Sequence, residues 1–176
     1  MRKIAVALSK GGVGKTTTTV NLAAGLADTG KSVLVIDLDT QGQASKMLGV
    51  EAAAGLADAI SGDNELSAAI LPARERLSVL SGGLGLAGLK RLIARKDFGG
   101  ERTVTEALSP LDDQYDYVIL DTAPGWDTLT VNAFFYANEV LAPVALEVMA
   151  LQGLVDFSQN LQSIQRYHDT LTFRYI

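Results

Sequence analysis

A glycine-rich segment near the amino terminus carries two lysines and two threonines at the spacing of a phosphate-binding loop. It spans residues 9–17, between an apolar run that predicts a strand and a stretch with helical periodicity. Glycines let successive backbone N–H groups turn towards a polyphosphate, and the start of the following helix adds its positive dipole end. Lys15 is placed to reach the β- and γ-phosphates, and the Thr16 hydroxyl is placed to ligate Mg²⁺. The predicted phosphate-binding residues are Lys10, Gly11, Gly12, Val13, Gly14, Lys15, Thr16 and Thr17.

A dinucleotide-binding loop of the Rossmann type is the nearest alternative. Asp37 ends the second predicted strand about twenty residues after the loop, as in that fold. However, the segment lacks the third glycine of the dinucleotide fingerprint. Lys15 also suits phosphates better than a nicotinamide cofactor. We therefore favour the phosphate loop, and a turn without a ligand is the remaining structural alternative.

Carboxylates follow two further predicted strands. Asp37 and Asp39 end one apolar run, and Asp121 ends another. In an open α/β sheet the carboxyl ends of the strands face the ligand crevice, where a carboxylate can position a water or hold a metal ion. Each aspartate could instead cap a helix or close a turn, and Thr40 could do the same ahead of residues 43–48. We favour the chemical interpretation for all three.

Short apolar runs alternate with longer helical stretches, and this pattern predicts an α/β domain with a mostly parallel twisted sheet and helices on both faces. Helices are predicted over residues 16–27 and 152–167, and Gly30 is expected to end the first of them in a left-handed conformation. We expect residues 1–176 to form one domain. The predicted strands cover residues 4–8, 32–37, 77–80, 117–121, 139–144 and 171–176.

The composition excludes several classes of protein. Hydrophobic residues make up 48% and charged residues 20%, as in globular proteins, and the net charge of −5 excludes a uniformly basic nucleic-acid binder. The chain has no cysteine, which excludes disulfide scaffolds, thiolate metal sites and iron–sulfur clusters. No apolar run approaches the ~18 residues that would span a bilayer, and residues 4–8 are too short for a signal peptide. These features predict a cytoplasmic protein.

Residues 10–16 read Lys-Gly-Gly-Val-Gly-Lys-Thr, which resembles the signature K-G-G-x-G-K-[ST] of the ParA and MinD ATPases, the deviant Walker A family. Residues 37–42 resemble the family motif D-x-D-P-Q-G, with Thr40 in place of proline. Residues 121–124 resemble D-x-P-P, with Ala123 in place of one proline. The likeness extends over residues 2–176 and is closest to ParA. It implies a P-loop NTPase fold with ATP and Mg²⁺ as cofactors.

The resemblance also implies roles for individual residues. Lys10 would reach across a dimer interface to the partner's nucleotide, and Gly12 would lie at that interface. Asp39 would orient or activate the attacking water, so that Lys10, Lys15 and Asp39 form the catalytic set. Thr16, Asp37 and Asp121 would serve the metal, with Asp37 supporting its outer shell.

A ParA-type partition ATPase forms a homodimer on binding ATP, binds DNA without sequence preference and is released when a ParB-like or other cargo adaptor stimulates slow hydrolysis. The resemblance implies this function, with association with the nucleoid. A MinD-like membrane-associated spatial regulator is the alternative, but residues 171–176 do not form the amphipathic helix that it needs. ParA proteins continue beyond this last strand, so we expect their carboxyl-terminal strands and helices to be missing here.

Two other relatives of this family fit less well. A redox protein like the nitrogenase iron protein needs cysteines for its bridging cluster, and the chain has none. A nucleotide-binding scaffold without activity would be expected to have lost Asp39 or Lys15, and this chain keeps both.

A predicted helix near residues 86–96 and three single residues give weaker indications of structure or function. A predicted amphipathic helix buries Leu86, Leu89 and Ile93 and presents a basic face, which is either a solvated surface or a contact for DNA phosphates. Trp126, just after the motif at residues 121–124, is expected to pack in the core rather than to sit over a switch segment. Met149 is expected in the core, and His168 on the surface. The candidate DNA-contacting residues are Lys90, Arg91, Arg95 and Lys96.

Overall fold

Seven strands form one sheet in a computed structural model that describes residues 1–176. Their order across the sheet is β3-β4-β2-β5-β1-β6-β7, and every neighbouring pair is parallel except β3 with β4. The mostly parallel sheet agrees with the sequence prediction. The strands are β1 (Arg2–Val6), β2 (Val33–Asp37), β3 (Ile70–Arg74), β4 (Leu77–Leu80), β5 (Tyr117–Asp121), β6 (Glu139–Leu141) and β7 (Thr172–Tyr175).

Helices cover both faces of the sheet. The first two helices pack on one face, and the other helices lie on the opposite face. No helix combines the length and apolar character needed to cross a membrane. The helices are α1 (Lys15–Asp28), α2 (Gln43–Met47), α3 (Leu56–Ser61), α4 (Leu66–Ala69), α5 (Gly85–Ala94), α6 (Thr103–Leu108), α7 (Thr128–Tyr136) and α8 (Val148–Gln165), with 3₁₀ turns at Gly100–Arg102 and Ser109–Leu111.

The central strands are buried on both faces because helices cover the sheet from both sides. All five residues of β2 are buried. Val33 and Val35 belong to the core beneath α1, whereas Leu34 and Ile36 belong to the larger core on the other face. Successive side chains in a strand point to opposite faces, so a strand between two helix layers is apolar throughout. This explains the unbroken apolar runs of the sequence.

Helix α1 follows the predicted pattern closely. Val20, Ala23 and Ala27 are buried against the sheet. Gly30 adopts a φ of 86° just beyond the helix, and its N–H donates to the Ala27 carbonyl over 2.8 Å. A glycine takes this left-handed conformation at little cost. The predicted helix end is therefore confirmed.

The strand β3 is absent from the sequence prediction. It contains Pro72, which removes a donor from the ladder and argues against a central strand. The structure places β3 at the edge of the sheet, antiparallel to β4, where a proline is tolerated. A tight turn with Arg76 in a left-handed conformation (φ 58°) connects the two strands.

The strand β1 begins two residues before its predicted start, because its polar residues have partners at the edge of the core. The Arg2 guanidinium donates to both carboxylate oxygens of Glu139, at 2.8 and 2.6 Å. Lys3 Nζ lies 2.7 Å from Asp112 Oδ1. Because Arg2 and Lys3 are charged, they lie outside the apolar run that predicted the strand, although both belong to β1.

The predictions for Met149 and for the start of the last helix are wrong. Helix α8 begins at Val148, four residues earlier than predicted, and Met149 is 67% exposed. The inner face of α8 is formed by Ala150, Phe157 and Leu161 instead. Five apolar residues near the start of this helix are exposed, and we call them the α8 patch: Leu146, Val148, Met149, Leu151 and Val155.

His168 is half-buried rather than on the open surface. Its Nε2 lies 2.9 Å from the Ala137 carbonyl oxygen, and its ring stacks on Phe135 with centroids 6.1 Å apart. The residue therefore has a packing role between α8 and the end of α7.

Gly82, in the loop after β4, allows the backbone after β2 to pass close by. A Cβ atom at this position would lie 2.6 Å from the Asp37 carbonyl oxygen and 2.8 Å from that of Asp39. We expect Gly82→Ala to lower the free energy of unfolding by about 1–3 kcal/mol, because backbone must move to admit the methyl group. Urea unfolding measures this change.

Gly88→Ala is the matched control. Gly88 lies on α5, and an added Cβ would meet no atom within 4 Å apart from the neighbouring backbone of its own helix. Alanine should therefore raise stability by up to about 1 kcal/mol through helix propensity. Equal stabilities of the Gly82→Ala variant and the wild type would contradict the close approach.

Candidate nucleotide-binding site

The segment between β1 and α1 forms one wall of a polar cavity of about 380 Å³. Gly12 and Gly14 adopt left-handed conformations, with φ of 74° and 89°, which residues with side chains rarely adopt. The N-terminus of the 14-residue helix α1 opens onto the same segment. Such an arrangement suits a polyphosphate. The cavity is lined by Gly11, Gly12, Gly14, Lys15, Thr16, Thr17, Asp39, Thr122 and Pro124.

Lys15 is buried at the first position of α1. Its Nζ donates to the Lys10 carbonyl oxygen over 2.9 Å, across the phosphate loop. Burial lowers the pKa of the Lys15 ammonium, and the nearby carboxylates of Asp121 and Asp39 oppose this shift. The structure therefore places the lysine at the loop, between the backbone and the acidic strand ends.

Asp121, at the end of β5, is tied to α1 by two hydroxyls. Thr16 Oγ1 donates to Oδ2 over 2.8 Å, and Thr19 Oγ1 donates to Oδ1 over 3.1 Å. The residue is fully buried, and burial raises the pKa of its carboxyl to about 6. The adjoining oxygens of Thr16 and Asp121 fit a hard cation such as Mg²⁺. Thr19 was not predicted, although it lies one turn after Thr16.

Asp37 lies beside Asp121, because β2 and β5 pair in register at these two residues. Its Oδ1 accepts from Asp39 N at 3.0 Å, and its Oδ2 accepts from Ser45 N and Oγ at 3.2 and 3.3 Å. Burial raises the pKa of Asp37, and these hydrogen bonds oppose the rise. Both carboxylate oxygens thus hold the loop that carries Asp39.

The capping alternative applies to Asp37 rather than to Asp39 or Thr40. Ser45 N is in the first turn of α2, so Asp37 satisfies a donor of that helix from the end of the strand. The residue at the helix start, Gly42, has no side-chain cap. Capping and a place at the site are therefore compatible for this carboxylate.

Asp39 is half-buried and lines the same cavity as Thr16 and Lys15. Its Oδ1 accepts from Gln41 N over 3.0 Å, a short-range contact that fixes the turn after β2. Its position at the cavity wall suits a carboxylate that orients a water molecule.

Lys10 is not among the residues that line the cavity. Its Nζ pairs with Glu147 Oε2 at 2.9 Å, and both side chains are partly exposed. Glu147 immediately precedes α8 and lies in the sequence between Leu146 and Val148 of the α8 patch. The two predicted lysines of the loop therefore diverge: Lys15 lies within it, and Lys10 links it to α8.

The basic residues on and after α5 do not all share one environment. Lys90 pairs with Asp127 at 2.5 Å, whereas Arg91, Arg95 and Lys96 are exposed. The helix ends at Ala94, so two of these residues lie beyond it. The predicted apolar face is confirmed, because Leu86, Leu89 and Ile93 are buried.

Trp126 both packs in the core and contacts the phosphate loop. Its ring lies against Phe134 and Phe157, and its Nε1 donates to Ser9 Oγ over 2.9 Å. The predicted packing of Trp126 against the core is confirmed. Ser9, as the partner of the indole, was not predicted.

The raised pKa of Asp121 makes stability depend on pH. Its folded-state pKa of about 6 exceeds the ordinary value of 3.8, so the folded protein loses stability as pH rises between these two values. We expect Asp121→Asn to raise the free energy of unfolding at pH 8 by about 2 kcal/mol. At pH 4 the variant and the wild type should be nearly equal.

Urea unfolding without nucleotide or Mg²⁺ measures the difference, and Asp156→Asn, on the exposed face of α8, is the control. The same pH dependence in the Asp121→Asn variant and the wild type would show that this carboxyl is not the group responsible.

Comparisons with known proteins agree with this geometry. The sequence profile of a family described as AAA domain matches residues 1–173. The chain is 39% identical over 165 residues to the chromosome-partitioning ATPase Soj of Thermus thermophilus, with 94% of this chain and 63% of that protein covered. It is 36% identical over 171 residues to the sporulation initiation inhibitor protein Soj of Bacillus subtilis, with 95% and 67% covered.

Solved structures share the fold. A Mycobacterium smegmatis protein described as cobyrinic acid a,c-diamide synthase, with bound ADP and magnesium, superposes with a TM-score of 0.92 at 33% identity, covering 98% of this chain and 72% of that one. A plasmid partition protein from Borrelia burgdorferi superposes with a TM-score of 0.84 at 23% identity, covering 99% and 76%. The chain spans about two thirds or less of its Soj relatives' length. It belongs to the AAA-domain family of P-loop proteins that includes the Soj and ParA partitioning ATPases.

Proposed function

We propose that residues 1–176 act as one ParA-like ATPase domain, which binds ATP with Mg²⁺, dimerises, binds DNA non-specifically and partitions or positions DNA or another cargo. The observation that carries this proposal is that Lys15, Thr16 and Asp39 line one polar cavity, behind which the buried Asp121 accepts a hydrogen bond from Thr16. A ParB-like or other cargo-adaptor protein stimulates the slow hydrolysis, and the protein acts in the cytoplasm on the nucleoid. Membership of the Soj and ParA family supports this assignment.

The chemistry proposed is attack of water on the γ-phosphate, with cleavage of the bond to the leaving diphosphate. The loop N–H groups and Lys15 bind the phosphates and balance the charge that develops on them. Asp39 orients the attacking water. Thr16 and Asp121 would hold Mg²⁺, which supplies further positive charge at the phosphates, and Asp37 keeps the Asp39 loop in place.

Dimerisation is supported by the surroundings of Lys10. The α8 patch exposes five apolar residues next to Glu147, the partner of Lys10. Exposed apolar surface of this kind is typical of interfaces. In the proposed dimer, Lys10 exchanges the Glu147 carboxylate for a phosphate bound to the second copy, and the α8 patches supply buried apolar area.

Lys10→Ala is expected to remain monomeric with ATP and Mg²⁺ under conditions in which the Asp39→Ala variant dimerises. The test compares the dimer fraction of Asp39→Ala with that of the double variant Lys10→Ala/Asp39→Ala by sedimentation velocity. Dimerisation should be lost in the double variant because alanine at position 10 removes the charge that would bind the partner's phosphate. Lys31→Ala, an exposed lysine after α1, is the matched control in the same background. An unchanged dimer fraction in the Lys10 variant would refute the role of this lysine.

DNA binding is expected only in the ATP-bound state. Fluorescence anisotropy of a random-sequence duplex, titrated with the Asp39→Ala variant at one salt concentration, should rise with ATP·Mg²⁺ and not with ADP. Replacing both Arg91 and Arg95 with alanine should weaken binding at least about tenfold, because two phosphate contacts per subunit are lost. Arg166→Ala, at the exposed residue that follows α8, is the control for a charge change elsewhere.

Absence of binding in both nucleotide states would remove DNA as a partner of these residues. Binding to anionic lipid vesicles with ATP, in the same assay format, would instead favour the MinD-like alternative.

A further inference from the structure

Trp126 connects the segment after β5 to the phosphate loop. Its indole N–H donates to Ser9 Oγ over 2.9 Å, and Ser9 immediately precedes Lys10. The general phosphate-loop pattern G-x-x-x-x-G-K-[ST] has glycine at the position of Ser9. Glycine carries no hydroxyl, so this contact depends on the serine that this chain has instead.

The indole ring is held on its other side by a buried aromatic cluster. Its centroid lies 5.3 Å from those of Phe134 on α7 and Phe157 on α8, which are themselves 6.0 Å apart. Both phenylalanines are almost completely buried. Packing of this kind fixes the orientation of a tryptophan while its N–H meets a polar partner. Ser9 is therefore hydrogen-bonded to a side chain of defined position.

The neighbouring residue Asp127 anchors the same segment a second time. Its Oδ1 accepts from Thr130 N over 2.9 Å and so caps α7. Its Oδ2 pairs with Lys90 on α5. The two residues 126 and 127 thus join the phosphate loop to α5, α7 and α8.

We infer that Trp126 is a positioning residue for the phosphate loop. Through Ser9 it fixes the backbone next to Lys10, and a change in that backbone when the loop takes up ligand displaces the indole against α7 and α8. This inference rests on the proposed function in one respect, because the ligand is taken to be ATP with Mg²⁺. It adds a positioning residue to that same site.

The chain has a single tryptophan, so its emission reports on this contact directly. The experiment titrates ATP·Mg²⁺ into the wild type and the variants Ser9→Ala, Ser9→Thr and Trp126→Phe, and follows binding by calorimetry and, where the indole is present, emission. Ser163→Ala, an exposed serine on α8, is the control for removal of a hydroxyl.

Binding of ATP to the wild type should change the emission, and Ser9→Ala should reduce that change and weaken binding about three- to tenfold, the effect of one lost hydrogen bond. Ser9→Thr keeps a hydroxyl and should restore both. Trp126→Phe keeps the ring packing and should weaken binding by the same factor, and the double variant with Ser9→Ala should be no weaker than either single one.

Wild-type affinity with an unchanged emission response in Ser9→Ala would overturn the inference and leave the proposed function standing. Additive effects of the two substitutions would also overturn it, since the residues would then act separately. Failure of the wild type to bind ATP would overturn the proposed function and this inference together. If Trp126→Phe does not fold, the Ser9→Ala and Ser9→Thr pair decides the matter alone.

Discussion

The arrangement of this protein depends on two carboxylates buried side by side at the ends of β2 and β5. Asp37 and Asp121 are both fully buried, and pairing of the two strands brings them into register. Buried carboxyls are costly unless hydrogen bonds or opposite charge compensate them. Here the compensation comes from the elements that form the site: the hydroxyls of α1, the backbone after β2 and the buried Lys15.

This electrostatic requirement constrains where the neighbouring segments lie. The phosphate loop must lie where Lys15 approaches the strand ends, and the loop after β2 must fold back so that its N–H groups reach Asp37. Gly82 makes the second condition possible, since a side chain there would meet the backbone of that loop. The segments that compensate the two buried carboxylates are therefore the same segments that form the wall of the polar cavity.

Most of the architecture could be predicted because central strands of a parallel sheet are apolar on both faces, and glycine marks the turns. The bounds of β4 and β5 agree with the prediction, whereas β3 was missed because Pro72 suits only an edge. The cavity-lining residues Lys15, Thr16 and Asp39 could be predicted because they occur in contiguous motifs. Contacts between distant segments could not: Ser9 with Trp126, and Lys10 with Glu147, depend on tertiary packing that no local pattern encodes.

The exposed start of α8 is a second feature that sequence patterns do not predict. Met149 was expected in the core because it is apolar, but it lies on a face of α8 that the domain does not cover. The sequence shows that a residue is apolar, but its burial depends on which other elements pack against it.

The two edges of the sheet differ in a way that bears on how it can grow. At one edge, β3 is antiparallel to its neighbour and contains Pro72, which lacks the N–H that another strand would need. At the opposite edge, β7 runs parallel to β6 and contains no proline. Proline disfavours pairing at the β3 edge, so the β7 edge is the one that favours addition of a further strand in regular pairing.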